Sequence, residues 1–240
     1  YYNNYANYLY GYGNYYNNYN YGYNNVSSYY DPDKYLRMYG ISIGWGRRLR
    51  WPDDNFTLSA ELNYQVYSLK DWQYFIIADG VCNNINLSLT LGRNTVDHPY
   101  FPRSGSEFSV TMTITPPHSL WDGVDYSNKD LPDQQRYKWI EYHKWDLKAQ
   151  WFYPLTKNNN LVLMASAEMG FLGNYNANKL SPFELYDVGG DGMSGYSVYG
   201  VDVIRLRGYE DSALNPVGNN AMGYSRVYNK YTVEMRYPII

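Results

Sequence analysis

The sequence predicts an all-β protein of the antiparallel, membrane-spanning barrel kind. Three observations carry that expectation. Hydropathy alternates with period two in about seven stretches, several stretches are long enough to cross a bilayer obliquely, and the connections between them alternate between short and long.

The clearest stretch is "NFTLSAELNYQVYS", residues 55–68. Phe56, Leu58, Ala60, Leu62, Tyr64 and Val66 fall on one face, and Thr57, Ser59, Glu61, Asn63 and Gln65 on the other. Period two over this length means a strand with one apolar and one polar face. Before it, Ile41, Ile43 and Trp45 alternate with glycine and serine. After it, the pattern recurs in Ile85–Leu91, Phe108–Ile114, Trp145–Trp151, Leu161–Phe171 and Tyr231–Tyr237. In the Trp145 stretch the polar set is Lys144, Asp146, Lys148 and Gln150.

Several of these runs reach ten residues or more, whereas strands of soluble sheets average about five or six. A tilted strand needs roughly 9–11 residues to cross a bilayer. The stretches 51–54, 98–105 and 155–160 read as short turns, and 69–83, 117–136 and 174–229 as long loops. Outer-membrane barrels have short turns at one rim and long loops at the other. Trp45, Trp51, Tyr100, Phe101, Trp139, Trp151 and Tyr153 suit interfacial girdles. A soluble antiparallel sandwich with large inner-face residues is the alternative reading of the same pattern.

A seven-stranded sheet with open edges cannot sit in lipid, where each unpaired backbone group costs several kcal/mol. Single-chain bacterial barrels also take even strand numbers. The chain begins at Tyr1 and ends inside a strand, "MRYPII". Strands are therefore expected beyond its end, and before its start.

Composition narrows the partners. Mean hydropathy is −0.60, yet aromatics make up 19% and there are 32 tyrosines. Net charge is −3 with no basic block, which argues against nucleic acid. Cys82 is the single cysteine, so neither an internal disulfide nor a thiolate metal site is available. No apolar run reaches the roughly eighteen residues of a membrane helix. Residues 1–34 are a Tyr/Asn/Gly-rich segment placed on the extracellular side, and 35–240 hold the partial barrel. The first 25 residues offer only Ala6 and Leu9 as aliphatic side chains, too few to build a core. They read either as a sticky solvent-facing loop or as a disordered tract with no particular role.

No enzymatic constellation stands out. "GDGMSG", residues 190–195, matches G-x-G-x-x-G, but a nucleotide site needs a helix after it, and "YSVYGVDVI" reads as extended. Gly189, Gly190, Gly192 and Gly195 are instead expected to let a long loop fold tightly. His98, His118 and His143 lack metal-ligand spacing, and Ser194 and Ser197 lack a nucleophile-elbow context. Asp187, Asp191 and Asp202 read as solvated loop residues. No cofactor or metal is expected. The 174–229 loop is far longer than ordinary connections. It carries Phe183, Leu185, Tyr186, Val188, Tyr196, Val198, Tyr199, Val201, Val203, Ile204 and Leu206, which a loop folded back into a lumen would bury.

"LRGY" (206–209), "SPFELYDVGGDGMSGY" (181–196), "LGRNTVDHPYFPRSGSEFSV" (91–110) and "VYNKYTVEMRYPI" (227–239) carry a resemblance. Over 35–240 the chain resembles the BamA-like outer-membrane assembly factor superfamily, most of all its Bacteroidetes members. The resemblance implies strands six to twelve of a sixteen-stranded barrel in the bacterial outer membrane, with 174–229 as the sixth extracellular loop plugging the lumen. Arg207 would then pair with acidic residues on absent strands, through a guanidinium whose donors are fixed and always charged. Gly208 would permit a tight turn, and Tyr209 would pack on the wall. An ordinary surface arginine is the bland alternative.

The family function implied is folding and insertion of other barrels, without ATP or bond chemistry. Implied partners are unfolded outer-membrane protein clients, accessory lipoproteins or other assembly-complex subunits, periplasmic chaperones, and outer-membrane lipid with lipopolysaccharide. A two-partner secretion transporter of the same superfamily is the nearest alternative. A passive porin or binding barrel is the next.

Overall fold

The computed structural model describes residues 34–72, 77–128, 130–191, 201–216 and 224–238. Residues 1–33, Gly192, Gly195, Tyr196, Val198 and Tyr199 lie outside the described residues. The strands are β1 (Tyr35–Arg48), β2 (Phe56–Lys70), β3 (Gly80–Asn94), β4 (Gly105–Ile114), β5 (His143–Pro154), β6 (Val162–Gly173), β7 (Leu185–Val188), β8 (Val201–Ile204) and β9 (Val227–Arg236). Seven of them form one sheet in the order β1-β2-β3-β4-β5-β6-β9, each neighbouring pair antiparallel. The remaining two, β7 and β8, form a short parallel pair inside the long loop.

The alternation seen in sequence becomes two chemically distinct faces. On one face the register aligns Ile43, Leu62, Leu87 and Ile114 across β1–β4. A second row aligns Leu89, Met112, Trp145, Phe171 and Val227 across β3–β9. Ile43, Leu62, Trp145, Phe171, Val227, Val233 and Met235 are all exposed there. An apolar face this wide is not left to water. Hydrocarbon is the solvent that suits it.

The opposite face is polar and hydrogen-bonded across strands. Asn63 Nδ2 donates to Asn86 Oδ1 at 3.2 Å. Ser88 pairs with Thr113 at 2.8 Å and Thr90 with Thr111 at 2.9 Å. Lys230 Nζ reaches Glu168 Oε1 at 2.9 Å. The sandwich reading fails here: among the described residues no second large sheet covers either face.

Several details differ from the sequence reading. β3 starts at Gly80, before the periodic part. At that end Tyr67, Leu69 and Cys82 are buried under loops on the otherwise polar face, so the two-residue alternation dissolves. The connection Asp71–Asp79 is no longer than Thr95–Ser104, so the long–short alternation is clear only in the later connections. The 95–104 hairpin continues its ladder beyond the strands, with Thr95 N donating to Ser106 O and Asp97 N to Ser104 O. Six of the seven girdle aromatics are exposed and sit near the short-turn rim. Trp139 is the exception. It stacks on His118 at 4.8 Å in the β4–β5 connection.

That connection also holds a 3-10 turn, His118–Leu120, and a single helical turn, α1 (Asp133–Arg136). Arg136 clamps the loops by donating to the carbonyls of Tyr126, Asn128 and Asn178. The main buried cluster lies at this long-loop end. Tyr67, Cys82, Tyr142, Leu172, Phe183, Tyr186, Ile204 and Tyr228 are members of it.

Candidate functional site

The described parts of the long loop between β6 and β9 lie on the polar face of the sheet. Its base is built by residues of "SPFELYDV". Ser181 Oγ accepts from Phe183 N at 3.3 Å, closing a tight turn. Phe183 is fully buried and stacks on Tyr67 of β2 at 4.5 Å. Glu184 follows with φ of 67°, a left-handed conformation that costs a non-glycine residue about 1–2 kcal/mol. That backbone twist accompanies a carboxylate reaching Lys144 of β5 at 3.1 Å.

Lys144 is the hub. Its Nζ also lies 2.6 Å from Asp202 Oδ2 of β8. It sits 4.8 Å from the Tyr186 ring centroid. The lysine side chain is 4% exposed, Glu184 is 24% and Asp202 is 56%. A nearly buried ammonium between two carboxylates is stable, but removing it leaves like charges facing each other. Breaking a buried pair costs about 3–5 kcal/mol, less here because Asp202 is open to solvent.

Tyr186 is the wedge. It is fully buried, and its ring packs edge-on to Tyr228 with centroids 4.7 Å apart. Its hydroxyl donates to Asp146 Oδ1 at 2.8 Å. Burial, with the Asp146 carboxylate beside it, raises the phenol far above its ordinary range. Space for the ring comes from Gly170 of β6, where a Cβ would stand 2.6 Å from Tyr186 Cζ. Backbone bonds of 2.8 Å in both directions between Tyr186 and Ser225 tie the outgoing and returning chain together.

The tip of the loop is cinched to the end of β7. Gly189 has φ of 144° and Gly190 of 75°. A Cβ on Gly189 would meet Ala213 N at 2.9 Å, and one on Gly190 would collide with the Asp211 side chain. Leu206 N donates to Gly190 O at 2.8 Å and Leu214 N to Val188 O at 3.1 Å. Asp187 accepts from Ser212 Oγ at 3.0 Å and from Asn215 Nδ2 at 2.7 Å. Asp187 is therefore a structural acceptor rather than the solvated loop residue suggested by its spacing, and Asp202, though open to solvent, is tied to Lys144. Of the "GDGMSG" match only Gly190 and Asp191 are described; residues 192–200 lie outside the described residues, and the chain is next described as the strand β8.

Arg207, Gly208 and Tyr209 project at the end of this cinched segment. Gly208 has φ of 85° and open space around a built Cβ. Arg207 is exposed and Tyr209 is 52% exposed. Among the described residues Arg207 makes no ion pair, and no wall covers Tyr209.

A second buried cluster roofs the loop base. Lys179 Nζ donates to Glu141 Oε2 at 3.5 Å and to Tyr126 OH at 3.1 Å. Glu141 Oε2 also accepts from Ser119 N at 2.8 Å. Burial pushes the Lys179 ammonium down, against the pull of Glu141 and Asp122. No group of three or more metal-ligating side chains converges among the described residues.

Lys144, Asp146, Gly170, Glu184 and Tyr186 were not singled out from sequence as a site. The one available signal was a lysine and an aspartate on the polar face of a spanning strand. Such groups are costly unless something pairs with them.

A sheet apolar on one face and polar on the other, with a long loop laid over the polar face, is part of an outer-membrane β-barrel. The Omp85 superfamily domain matches residues 2–240, and the chain belongs to the Omp85 superfamily. Its fold is similar to the crystal structure of BamA from Haemophilus ducreyi lacking POTRA domains 1–3, with a TM-score of 0.59 and 17% identity. The match covers 83% of this chain and 37% of that one, so the chain spans well under half of that structure's length.

Proposed function

We propose that the protein is the central barrel component of a bacterial outer-membrane protein assembly machinery, catalysing folding and insertion of β-barrel clients. The observation that carries this reading is the long loop laid on the polar face, with its cinched tip presenting Arg207-Gly208-Tyr209. Membership of the Omp85 superfamily and the BamA-like sheet support it. No bond is made or broken in such a function. Client strands add to an opened edge, where unpaired backbone groups seek partners. The docked loop keeps the wall in shape while that edge opens. Partners of the whole protein on this reading are unfolded barrel clients, accessory lipoproteins, periplasmic chaperones and the outer-membrane lipid with its lipopolysaccharide.

Depletion of the full-length protein in its host, followed by quantification of the outer-membrane proteome, tests the reading. Many unrelated barrels falling together is the expected result. Loss of one secreted protein with other barrels unchanged would overturn it in favour of a dedicated secretion transporter.

A further inference from the structure

We propose that Lys144 is the positioning residue that docks the long loop on the barrel wall, and that this docking is complete without the Arg207 tip. Four observations carry it. The Lys144 ammonium is nearly buried between Glu184 before β7 and Asp202 in β8, so one side chain of the wall holds both limbs of the loop. Glu184 keeps a left-handed backbone while reaching it, a conformation that persists only when the surroundings enforce it. Tyr186, next but one, is seated over Gly170 and bonded to Asp146, so the wall carries a socket of matching shape as well as charge. Arg207 is exposed at the far end of the loop, and none of these contacts passes through it.

The physical consequence is an order of events. Every partner in the lock lies on β5, β6 or the loop itself, and Tyr228 of β9 closes the packing around Tyr186. The loop can therefore settle on a partly built wall without any contact from the arginine tip. A loop fixed only at its tip would need the whole barrel closed first. That difference matters for the function proposed above, and only the last readout below rests on it.

The test uses the full-length protein in its native outer membrane, with Lys144→Gln, Lys144→Arg and Glu184→Gln. Three quantities are read: external protease cleavage within 174–226 on intact cells, the heat-modifiable mobility of the folded barrel, and the abundance of other outer-membrane barrels. Lys144→Gln is expected to speed loop cleavage by about tenfold or more, as loss of a buried ion partner allows, with the barrel still folded. Lys144→Arg is expected to restore protection, because a cation at that point is what the two carboxylates need. Glu184→Gln lies outside the sheet and supplies the same reading should Lys144→Gln fail to fold. Cleavage at the wild-type rate in both glutamine variants, or Lys144→Arg cleaved as fast as Lys144→Gln, would overturn the proposal. A loosened loop with undiminished client barrels would uphold the lock while removing support from the insertase reading.

Discussion

The Tyr186 ring rests against the bare backbone of Gly170, at a separation that leaves no room for a methyl group: a Cβ there would come within 2.6 Å of Tyr186 Cζ. The same Cβ would collide with the ring of Tyr228. A glycine in mid-strand weakens a sheet, and one way it is retained is close approach of another group. Here that group is the wedge of the loop.

Gly170→Ala is accordingly expected to destabilise the barrel by roughly 1–3 kcal/mol, the usual range for overpacking a filled site. The loop should become protease-sensitive in the same variant. Phe171→Ala, on the outward face one residue on, should leave the loop protected. Urea unfolding of the full-length protein in lipid vesicles, with cleavage at 174–226 as the second readout, checks both. Equal midpoints and equal protection for Gly170→Ala and wild type would show that the socket does not hold the loop.

The loop glycines separate into two kinds. Gly190 has φ of 75° and faces Asp211, whereas Gly208 has φ of 85° and faces open space. Gly190→Ala carries both backbone strain and a collision, and Gly208→Ala carries strain alone, about 1 kcal/mol. Gly190→Ala should therefore release the 205–216 segment from the end of β7, while Gly208→Ala should shift it only slightly. Hydrogen exchange at Leu206 and Leu214, whose amides bond Gly190 O and Val188 O, reads the difference. Faster exchange in Gly208→Ala than in Gly190→Ala would contradict it.

How far the fold was legible depends on which side of a strand faced a homogeneous medium. The outward face meets one solvent throughout, so Leu62, Trp145 and Val233 obey a strict period of two and announce themselves. The inward face meets water near the turns and packed loops near the other rim. There Tyr67, Leu69 and Cys82 are apolar where the pattern calls for polar, and β3 was read too short. Gly189 and Gly190 stand at positive φ, a backbone freedom that residue type itself announces. The lock was not legible. Lys144 and Asp146 look like any polar alternates in "HKWDLKAQ", and their partners Asp202, Glu184 and Tyr186 are tens of residues away. Only the three-dimensional path of the loop brings them together.

His118 makes the β4–β5 connection sensitive to pH. Its ring stacks on Trp139 and meets Trp121 edge-on. Burial lowers its pKa, and Lys179 lowers it further, against the opposing pull of Glu141 and Asp122. The folded state thus prefers the neutral ring. Its contribution to stability is full above the ordinary histidine value, about 6.5. It is lost as pH falls from there towards the depressed folded value. Acidification from pH 7.5 to 5 should loosen residues 115–142, seen as faster hydrogen exchange after correction for intrinsic rates. His118→Gln should flatten that dependence. An unchanged pH profile in His118→Gln would assign the sensitivity to another group.

The two faces of β5 make opposite predictions for membrane and soluble settings. Leu147 is outward, flanked in register by Val110 and Met169. Gln150 is on the polar face, flanked by Glu107 and Ser166. In a bilayer, Leu147→Arg puts a charge into hydrocarbon, at roughly 2–4 kcal/mol near the midplane and less towards the interfaces. Gln150→Arg places the same charge beside Glu107 in a hydrated lumen and should be close to neutral. In a soluble protein whose core lay under the polar face, the order would invert: the outward arginine would be harmless and the inward one destabilising. Unfolding midpoints of the two variants of the full-length protein in lipid vesicles decide between these. The expected result is a large drop for Leu147→Arg and little change for Gln150→Arg. The reverse order would mean that the apolar face of the sheet does not meet lipid.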